Sequence, residues 1–312
     1  MTDKSKPVVL YLAHGTESVY YQTAFSVLTL LHHLKGNFSE LAIVVYTDNV
    51  GFFKGYFNTA TVSIEPLKKN QIIDFMGAHG FIHRAKPLVI QDCFIKYKKD
   101  VLFLDGDTIF LKDPTNLLKE INPSCSIMNS DEYDMQDGGI HELQHWFDLR
   151  RAIKTSSFTL HKKEFTIPLA TRMWNAGVLG ISYANAHLLE DVVDLTDQLY
   201  ARCPLFSMEQ FATSFVLQNN TQVTSSKDYI FHYCYGGVKR TINYHLALFF
   251  EQNKGKETAV LSQLAFEFSQ KVNTLPIPPE VVESMTILDR IILRLQLVKE
   301  VALNGRLHNK WI

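Results

Sequence analysis

The chain has 312 residues, of which 46% are hydrophobic and 20% are charged, and its formal net charge is −1. These values are typical of a soluble globular protein that is long enough to bury a sizeable core. Because the charge is almost balanced, the protein has no overall basic field, and we expect no nucleic-acid partner. Any site for an anion must therefore be built locally.

The cysteines and the apolar runs indicate the compartment. The four cysteines are far apart and form no Cys-x-x-Cys pair, which favours free thiols in a reducing environment. The first apolar stretch, at residues 7–13, is too short for the core of a signal peptide. No apolar run approaches the roughly 20 residues that a membrane-spanning helix needs. We expect a cytoplasmic protein.

Strand and helix patterns alternate over the first 110 residues. Residues 7–13 (PVVLYLA) form a continuous apolar, β-branched run, which is typical of a strand buried on both faces. Residues 17–34 follow with apolar side chains at helical spacing. The same reasoning predicts, in order, a strand at 41–48, a weaker strand at 61–67, a helix at 84–97 and a strand at 101–104. This alternation predicts an α/β domain with a Rossmann-like, mostly parallel sheet, whose ligands bind beyond the carboxyl ends of the strands.

The second half of the chain is less regular. A polar excursion at 131–170 interrupts the alternation. The predicted elements are a helix at 139–153, a strand at 174–181, helices at 183–201 and 207–218, and a short strand near residue 221. The remainder has helical character. We therefore predict one domain over residues 1–240, with the excursion inserted in it, and a helical C-terminal extension over residues 241–312.

Two acidic residues follow the strand at 101–104, in the tripeptide Asp105-Gly106-Asp107. In an extended segment, residues i and i+2 point to the same side, so both carboxylates can face one point, while Gly106 allows the backbone to approach a ligand closely. Two ionised carboxylates at such a distance are unfavourable unless one is protonated or a cation lies between them. Oxygen ligands favour hard ions such as Mg²⁺ or Mn²⁺. A solvated turn is the alternative, but the buried strand in front favours a metal site.

The turn after the first strand disfavours two common nucleotide sites. Its sequence, AHGTES, has a single glycine and no GxGxxG fingerprint, which argues against a redox dinucleotide. The chain also has no P-loop sequence. A nucleotide would have to be bound in another way.

Four segments together resemble a known family. VLFLDGDTIFLKDP resembles the metal-binding DxD segment of GT-A fold glycosyltransferases, most closely glycosyltransferase family 8, the glycogenin and lipooligosaccharide galactosyltransferase group. MWNAGVLGI resembles the F-N-[AS]-G-V strand of that family, SMEQFATSFVL its D-Q-D segment and FHYCYGGVK its H-x-x-G-x-x-K-P-W end. The matches occur in the same order, and the resemblance extends over about residues 7–240.

The resemblance implies a GT-A catalytic domain followed by C-terminal helices. The implied activity is metal-dependent transfer of a sugar from a nucleotide-diphosphate sugar, a UDP-sugar, to an acceptor hydroxyl, with retention of configuration. The acceptor would be a glycan, a glycolipid or a protein. The implied ligands of Mn²⁺ or Mg²⁺ are Asp105, Asp107 and His232, and the imidazole favours Mn²⁺.

The remaining implied roles concern the donor. Lys239 would neutralise charge on the diphosphate, and Asn175 would bind hydroxyls of the donor sugar. Glu209 and Gln210 would lie near the anomeric carbon. Further implied contacts with the donor are Gly106 and Gly237, Arg84 and Lys86 at the sugar or a phosphate, and Ala13, His14, Gly15 and Thr16 at the nucleoside.

The chain departs from the family pattern at three places. The last motif has seven positions from His232 to Lys239 instead of six and lacks the Pro-Trp pair, and Gly236-Gly237 could absorb the extra residue. Glu209 stands where the family has Asp. The first turn lacks the acidic residue that reads the base.

Several alternatives stay open. A sugar nucleotidyltransferase also uses paired acids in a similar fold, although AHGTES lacks its glycine-rich basic turn, and a non-catalytic carbohydrate-binding protein could keep the same fold. Taken singly, His232 could be a hydrogen-bonded core histidine, Asn175 could end a strand, and Glu209 and Gln210 could be exposed helix residues.

Two further patterns add possible sites. His141, Glu142 and His145 have the spacing of a zinc site, but a zinc peptidase would need a third ligand and would leave the DxD unexplained, so an acceptor-contacting helix is favoured. The final helix carries an apolar stripe, Val281, Met285, Leu288, Ile292 and Leu295. That stripe could pack on the main domain, contact a membrane surface peripherally or form a dimer.

Overall fold

The structure is a computed structural model that describes residues 6–37, 40–58, 60–136 and 143–284. This part of the chain contains thirteen strands and eleven α-helices. The strands are β1 Val8–Ala13, β2 Ala42–Thr47, β3 Val62–Pro66, β4 Val101–Leu104, β5 Thr108–Phe110, β6 Cys125–Met128, β7 Asp131–Asp134, β8 Phe158–Leu160, β9 Lys163–Phe165, β10 Arg172–Trp174, β11 Val178–Ile181, β12 Gln222–Ser225 and β13 Ile230–His232. The helices are α1 Glu17–Leu34, α2 Val50–Lys54, α3 Lys69–Met76, α4 Ala85–Tyr97, α5 Thr115–Glu120, α6 Leu143–Thr155, α7 Leu188–Arg202, α8 Met208–Asn220, α9 Gly236–Gln252, α10 Thr258–Ser269 and α11 Pro279–Ser284.

Seven strands form the central sheet, in the order β12-β6-β11-β4-β1-β2-β3. β11 runs antiparallel to both of its neighbours, β4 and β6, and the other pairs are parallel. The carboxyl ends of β1, β2 and β4 therefore lie at one edge of the sheet, and β11 begins at that same edge. This arrangement confirms the predicted α/β fold with a mostly parallel sheet.

The alternation of side chains along the central strands divides the core into two halves. Val8 and Leu10 face one half, which is closed by α4, α7 and α8, whereas Val9 and Tyr11 face the other, which is closed by α1, α9 and α10. All four side chains are buried. Burial on both faces explains why β1 and β4 are continuous apolar runs.

Two short antiparallel pairs complete the edge at which β4 ends. β13 pairs with β5, which places His232 opposite Thr108. β10 pairs with β7 and leads directly towards Asn175 and β11. The polar excursion also contains the β8–β9 hairpin, whose turn residues His161 and Lys162 have positive φ angles of 51° and 65°.

The start of α9 differs from the expectation for the last motif. Gly236 and Gly237 form the first turn of the helix instead of a loop, and Lys239 donates its backbone N–H to the carbonyl of Tyr235. Glycine disfavours a helix by about 1 kcal/mol per residue, but packing of a helix face can outweigh this cost. The buried face of α9 packs on α1, where the rings of Phe249 and Phe25 meet edge to face.

Other boundaries shift for local reasons. Ser182 and the backbone N–H of Tyr183 both donate to Asp100, so the helix predicted from residue 183 begins only at Leu188, after a single 3₁₀ turn. The predicted division at residue 240 falls inside α9 and stays a prediction.

The described part of the C-terminal helix is α11, in which Val281 is buried against Val238 and Ile277. The rest of the predicted apolar stripe lies outside the described residues. No helix within the described ranges is both long enough and apolar enough to cross a membrane.

Gly180 on β11 has no room for a side chain, which gives a test of the packing around the central strands. A Cβ there would lie 2.7 Å from the Cβ of Ile127 and 3.1 Å from the side chain of Ile121. We expect Gly180→Ala to lower the free energy of unfolding by about 1–3 kcal/mol, because overpacking forces the surrounding core to shift. Urea denaturation measures the change.

The matched control is Gly51→Ala in α2, where the nearest atom to an added Cβ is 3.8 Å away. This variant should lose no stability, since alanine favours a helix more than glycine does. Equal losses in the two variants would contradict the packing argument.

Candidate active site

The loop after β4 and the loop before β11 lie side by side. The backbone N–H of Asp105 donates to the carbonyl of Gly177 at 2.8 Å, and the ladder continues into the pairing of Val178 with Leu104. Because β11 is antiparallel to β4, the start of β11 lies next to the end of β4 at this edge of the sheet. The pairing therefore brings Asn175 close to the DxD tripeptide, 70 residues earlier in the chain.

Asp105, Asp107 and His232 form the candidate metal cluster. One potential ligand atom from each residue lies within 4.8 Å of the others, and within the described ranges this is the one group of His, Cys, Asp or Glu residues that meets this condition. His232 Nε2 is 3.3 Å from Asp107 Oδ1 and 3.9 Å from Asp105 Oδ2. Asp107 and His232 are buried, whereas 31% of the Asp105 side chain is exposed, so the cluster opens to solvent beside Asp105.

Two glycines allow this close arrangement. A Cβ on Gly106 would lie 2.6 Å from Thr23 Oγ1 on α1, and a Cβ on Gly177 would lie 2.2 Å from the ring of His232. Gly106 therefore lets the DxD loop lie directly on α1. Gly177 lets the imidazole lie against the backbone that enters β11.

Asp107 is held between two cationic side chains. Lys239 Nζ, in the first turn of α9, is 2.7 Å from Asp107 Oδ2, and His232 faces Oδ1. Burial alone would raise the pKa of Asp107, but His232 and Lys239 outweigh it and hold the pKa well below its usual range. Burial would lower the pKa of His232, but the Asp107 carboxylate raises it well above its ordinary value. Asp107 is therefore ionised, and His232 readily holds a proton.

Lys86 and Glu209 form a buried layer beneath the cluster. Lys86 Nζ is 3.2 Å from Asp105 Oδ1 and 3.5 Å from Glu209 Oε2, and it donates to the carbonyl of Ala176 at 3.0 Å. Burial would lower the pKa of Lys86, but Asp105 and Glu209 raise it above its ordinary value. Burial raises the pKa of Glu209, and Lys86 offsets this only in part. Glu209 is 2% exposed and also accepts from Thr213, so its carboxylate is engaged within the protein.

Asn175 fixes the orientation of His232. Its Oδ1 accepts from the backbone N–H of Gly177 at 2.9 Å and from His232 Nδ1 at 2.7 Å. Because an amide oxygen only accepts, Nδ1 carries a proton, and Nε2 is the nitrogen that faces the two carboxylates. This is the arrangement that a metal-binding histidine requires.

Glu132 on β7 joins Asn175 to Gln210. Its Oε1 accepts from Asn175 Nδ2 and its Oε2 from Gln210 Nε2, both at 3.0 Å, and Gln210 Oε1 accepts from the backbone N–H of Ala176. Glu132 was not among the residues predicted from the sequence. The acidic pattern of Asp131–Asp134 in the polar excursion was the available signal, but the pairing of this segment with β10 is not visible in the sequence.

The predicted nucleoside turn lies at the end of β1, next to the end of β2. Gly15 has a φ of 90° and donates its N–H to Asp48 Oδ2 at 3.1 Å, while Tyr20 donates to Asp48 Oδ1 at 2.8 Å. Burial lowers the pKa of His14, and Asp48 opposes this in part. An acidic side chain thus contacts the first turn, although it comes from the residue after β2 and not from the turn itself. The same turn contains the two other predicted residues, Ala13 and Thr16.

Arg84 is engaged elsewhere. Its Nε lies 2.6 Å from Asp197 Oδ1 on α7, and its Nη1 donates to the carbonyl of Phe75 on α3. The guanidinium lies against Gly77, where an added Cβ would be 3.0 Å away. Arg84 ends a 3₁₀ turn, whereas Lys86 lies in the first turn of α4, so it is Lys86 that reaches Asp105.

Most of the predicted zinc group lies outside the described part of the chain. His141 and Glu142 lie outside the described residues, and only the helical backbone of His145 in α6 is described. Gly237 is described and lies in the first turn of α9, two residues before Lys239.

The sequence matches no protein-family model and no curated protein. Solved structures do match the fold. Galactosyltransferase LgtC, crystallised in complex with donor and acceptor sugar analogues, superposes with a TM-score of 0.53 at 12% identity over 89% of this chain and 100% of its own. The glycosyltransferase GlyE of Streptococcus pneumoniae gives a TM-score of 0.45 at 14% identity over 99% of this chain and 66% of its own. Mouse xyloside xylosyltransferase 1 gives 0.46 at 11% identity over 70% and 84%. The match to LgtC is the one that assigns the fold: the chain has the GT-A fold. This confirms the fold predicted from the four motifs.

Proposed function

We propose that this protein is a metal-dependent glycosyltransferase that moves a sugar from a UDP-sugar to an acceptor hydroxyl. The observation that carries the proposal is the convergence of Asp105, Asp107 and His232 at the carboxyl edge of a GT-A sheet. Ligands of such sheets bind at this edge. The choice of a UDP-sugar rests on the resemblance of the four motifs to glycosyltransferase family 8.

The chemistry of the cluster fits a divalent ion. Asp105, Asp107 and His232 Nε2 would hold the ion, and one imidazole beside two carboxylates favours Mn²⁺ over Mg²⁺. An ion in this place would supply positive charge to the diphosphate of the donor. The hydrogen bond of Asn175 to His232 Nδ1 supports this assignment, because it leaves His232 Nε2 facing the carboxylates.

The first turn of α9 would bind the diphosphate. Lys239 is 38% exposed, in contrast to the buried Lys86, and lies at the N-terminus of a 17-residue helix. Free backbone N–H groups and the helix dipole favour an anion there. In this role Lys239 would turn from Asp107 to the phosphates and neutralise charge as the leaving group departs. Gly237, in the same turn, would leave the backbone accessible.

Asn175 and Gln210 would contact the donor sugar. Both amides lie at the strand edge beside the cluster and are held in place by Glu132. Glu209 is buried and paired with Lys86, so its carboxylate is not open to attack the anomeric carbon. A double displacement through Glu209 is therefore disfavoured. Retention would then follow a front-face route. The acceptor oxygen forms its bond to the anomeric carbon as the bond to the phosphate breaks, and the departing phosphate takes the acceptor proton.

The first test removes one metal ligand. We expect UDP with Mn²⁺ to raise the melting temperature of the wild type, UDP alone to have little effect, and Asp107→Asn to abolish the metal-dependent shift. Hydrolysis of UDP-sugars by this variant should fall by about 10²–10³-fold, the range typical of removing one preorganised electrostatic contact that stabilises a transition state. Differential scanning fluorimetry and UDP release, screened across several sugars, provide the measurements.

Asp113→Asn is the matched control, because Asp113 is an exposed carboxylate six residues away that accepts hydrogen bonds from Thr115. It should behave as the wild type. Transfer of a nucleotide with release of pyrophosphate would favour a nucleotidyltransferase instead. Stabilisation by UDP and Mn²⁺ with no turnover of any sugar would favour a non-catalytic binding protein.

The second test concerns pH. Asp107 raises the pKa of His232 above the ordinary value of 6.5, so a proton competes with the metal for Nε2. The affinity for Mn²⁺ should therefore rise with pH up to the raised pKa and level off above it. Isothermal titration calorimetry in buffers of different ionisation enthalpy should detect a proton released on binding. Proton release that is the same in His232→Gln would show that another group titrates.

A further inference from the structure

Glu132 is the extra residue of a β-bulge beside the metal cluster. The register of the β7–β10 pair shifts by one residue after Met173 and skips Glu132. Bulges redirect side chains and are frequent next to active sites. Here the partly buried carboxylate is directed towards two amide side chains, Asn175 before β11 and Gln210 on α8.

The carboxylate is shared evenly between the two amides. Each oxygen accepts one N–H at 3.0 Å, Oε1 from Asn175 and Oε2 from Gln210. An ionised carboxylate only accepts hydrogen bonds, so both amides must present nitrogen to it. Their oxygens therefore point away from Glu132.

The hydrogen bonds of the Asn175 side-chain oxygen depend on this orientation. The backbone N–H of Gly177 can only donate, so it too requires the amide oxygen on its side. That same oxygen accepts from His232 Nδ1. With Glu132 on one side and Gly177 on the other, a half-turn of the amide would break both contacts and present N–H to the imidazole.

The backbone of Asn175 is fixed independently of its side chain. Its N–H donates to the carbonyl of Ser130 at 2.8 Å, and its carbonyl accepts from the N–H of Asn129 at 3.0 Å. The remaining freedom is rotation of the side-chain amide, and Glu132 restricts that rotation. The contact is therefore suited to orientation and contributes little to the fold.

We propose that Glu132 is a positioning residue that orients Asn175 and Gln210 and, through Asn175, presents His232 Nε2 to the metal. This inference rests on the proposed function for its metal. Two contacts of this path are in the structure, Glu132 to Asn175 and Asn175 to His232, and the third would join His232 to the ion. Loss of an outer hydrogen-bond partner of a metal-binding histidine typically weakens metal affinity by about 10–100-fold.

The test compares two isosteric changes on one strand. Glu132→Gln keeps the shape of the side chain but replaces one accepting oxygen by an N–H₂ group, so it cannot accept from both amides. Asp131→Asn also removes one carboxylate from β7, but its partner is the exposed Arg172. The control therefore matches the lost charge and leaves both amides untouched.

Two readouts decide the outcome. Mn²⁺ binding to the protein without nucleotide, followed by electron paramagnetic resonance, should weaken by about 10–100-fold in Glu132→Gln and stay as in the wild type in Asp131→Asn. The side-chain ¹⁵N resonances of Asn175, Gln210 and His232 in the metal-free protein should shift in the first variant only. Thermal melting should be alike in both variants, since exposed ion pairs and one redirected amide contribute little to stability.

Equal weakening in the two variants would overturn the proposal, because a general effect of charge would then explain it. Unmoved resonances of Asn175 and His232 in Glu132→Gln would also overturn it. If the wild type binds no Mn²⁺, the proposed function fails, and the metal-free resonances still decide whether Glu132 orients Asn175. Unchanged Mn²⁺ affinity in Glu132→Gln would likewise overturn the positioning role.

Discussion

The mutual repulsion of Asp105 and Asp107 is the constraint around which this edge of the molecule is organised. An ionised, buried carboxylate at the end of an apolar strand is unfavourable unless opposite charge and hydrogen bonds surround it. The opposing groups are Lys86, Lys239 and His232, which come from α4, α9 and β13. Segments far apart in sequence thus depend on one another electrostatically.

The two lysines that pair with these acids differ in their surroundings. Lys86 is buried and bonds to a backbone carbonyl as well as to two acids, so its ammonium is committed to the interior. Lys239 pairs with Asp107 from the first turn of a helix, and 38% of its side chain is exposed. The first is enclosed by the protein, whereas the second is open to solvent.

The sequence predicted the elements whose signal is local. Residues 17–34 form the predicted helix with the predicted ends, and β4 matches its apolar run, because burial on a helix face or on both sides of a strand leaves a clear periodic pattern. The paired acids at the end of β4 could be recognised for the same reason. His232 could be connected to them only through the resemblance of its motif to a known family.

The features that sequence reasoning missed depend on contacts between distant segments. Glu132 needs the pairing of β7 with β10, and Asp48 needs the neighbouring ends of β1 and β2. The start of α9 at two glycines needs the packing of that helix on α1, which local propensity opposes. The choice between Arg84 and Lys86 depends on a turn of the backbone between a 3₁₀ segment and α4.

The antiparallel direction of β11 has a consequence for how the molecule can change. Because β11 begins beside the end of β4, the spacing between the acids and Asn175 is set by the hydrogen-bond register of these strands and not by the length of the connecting chain. The β7–β10 pair closes the excursion at its base in the same way. The segment between those two strands can therefore gain or lose residues, and so acquire a different outer surface, while the chemical groups beneath it keep their distances.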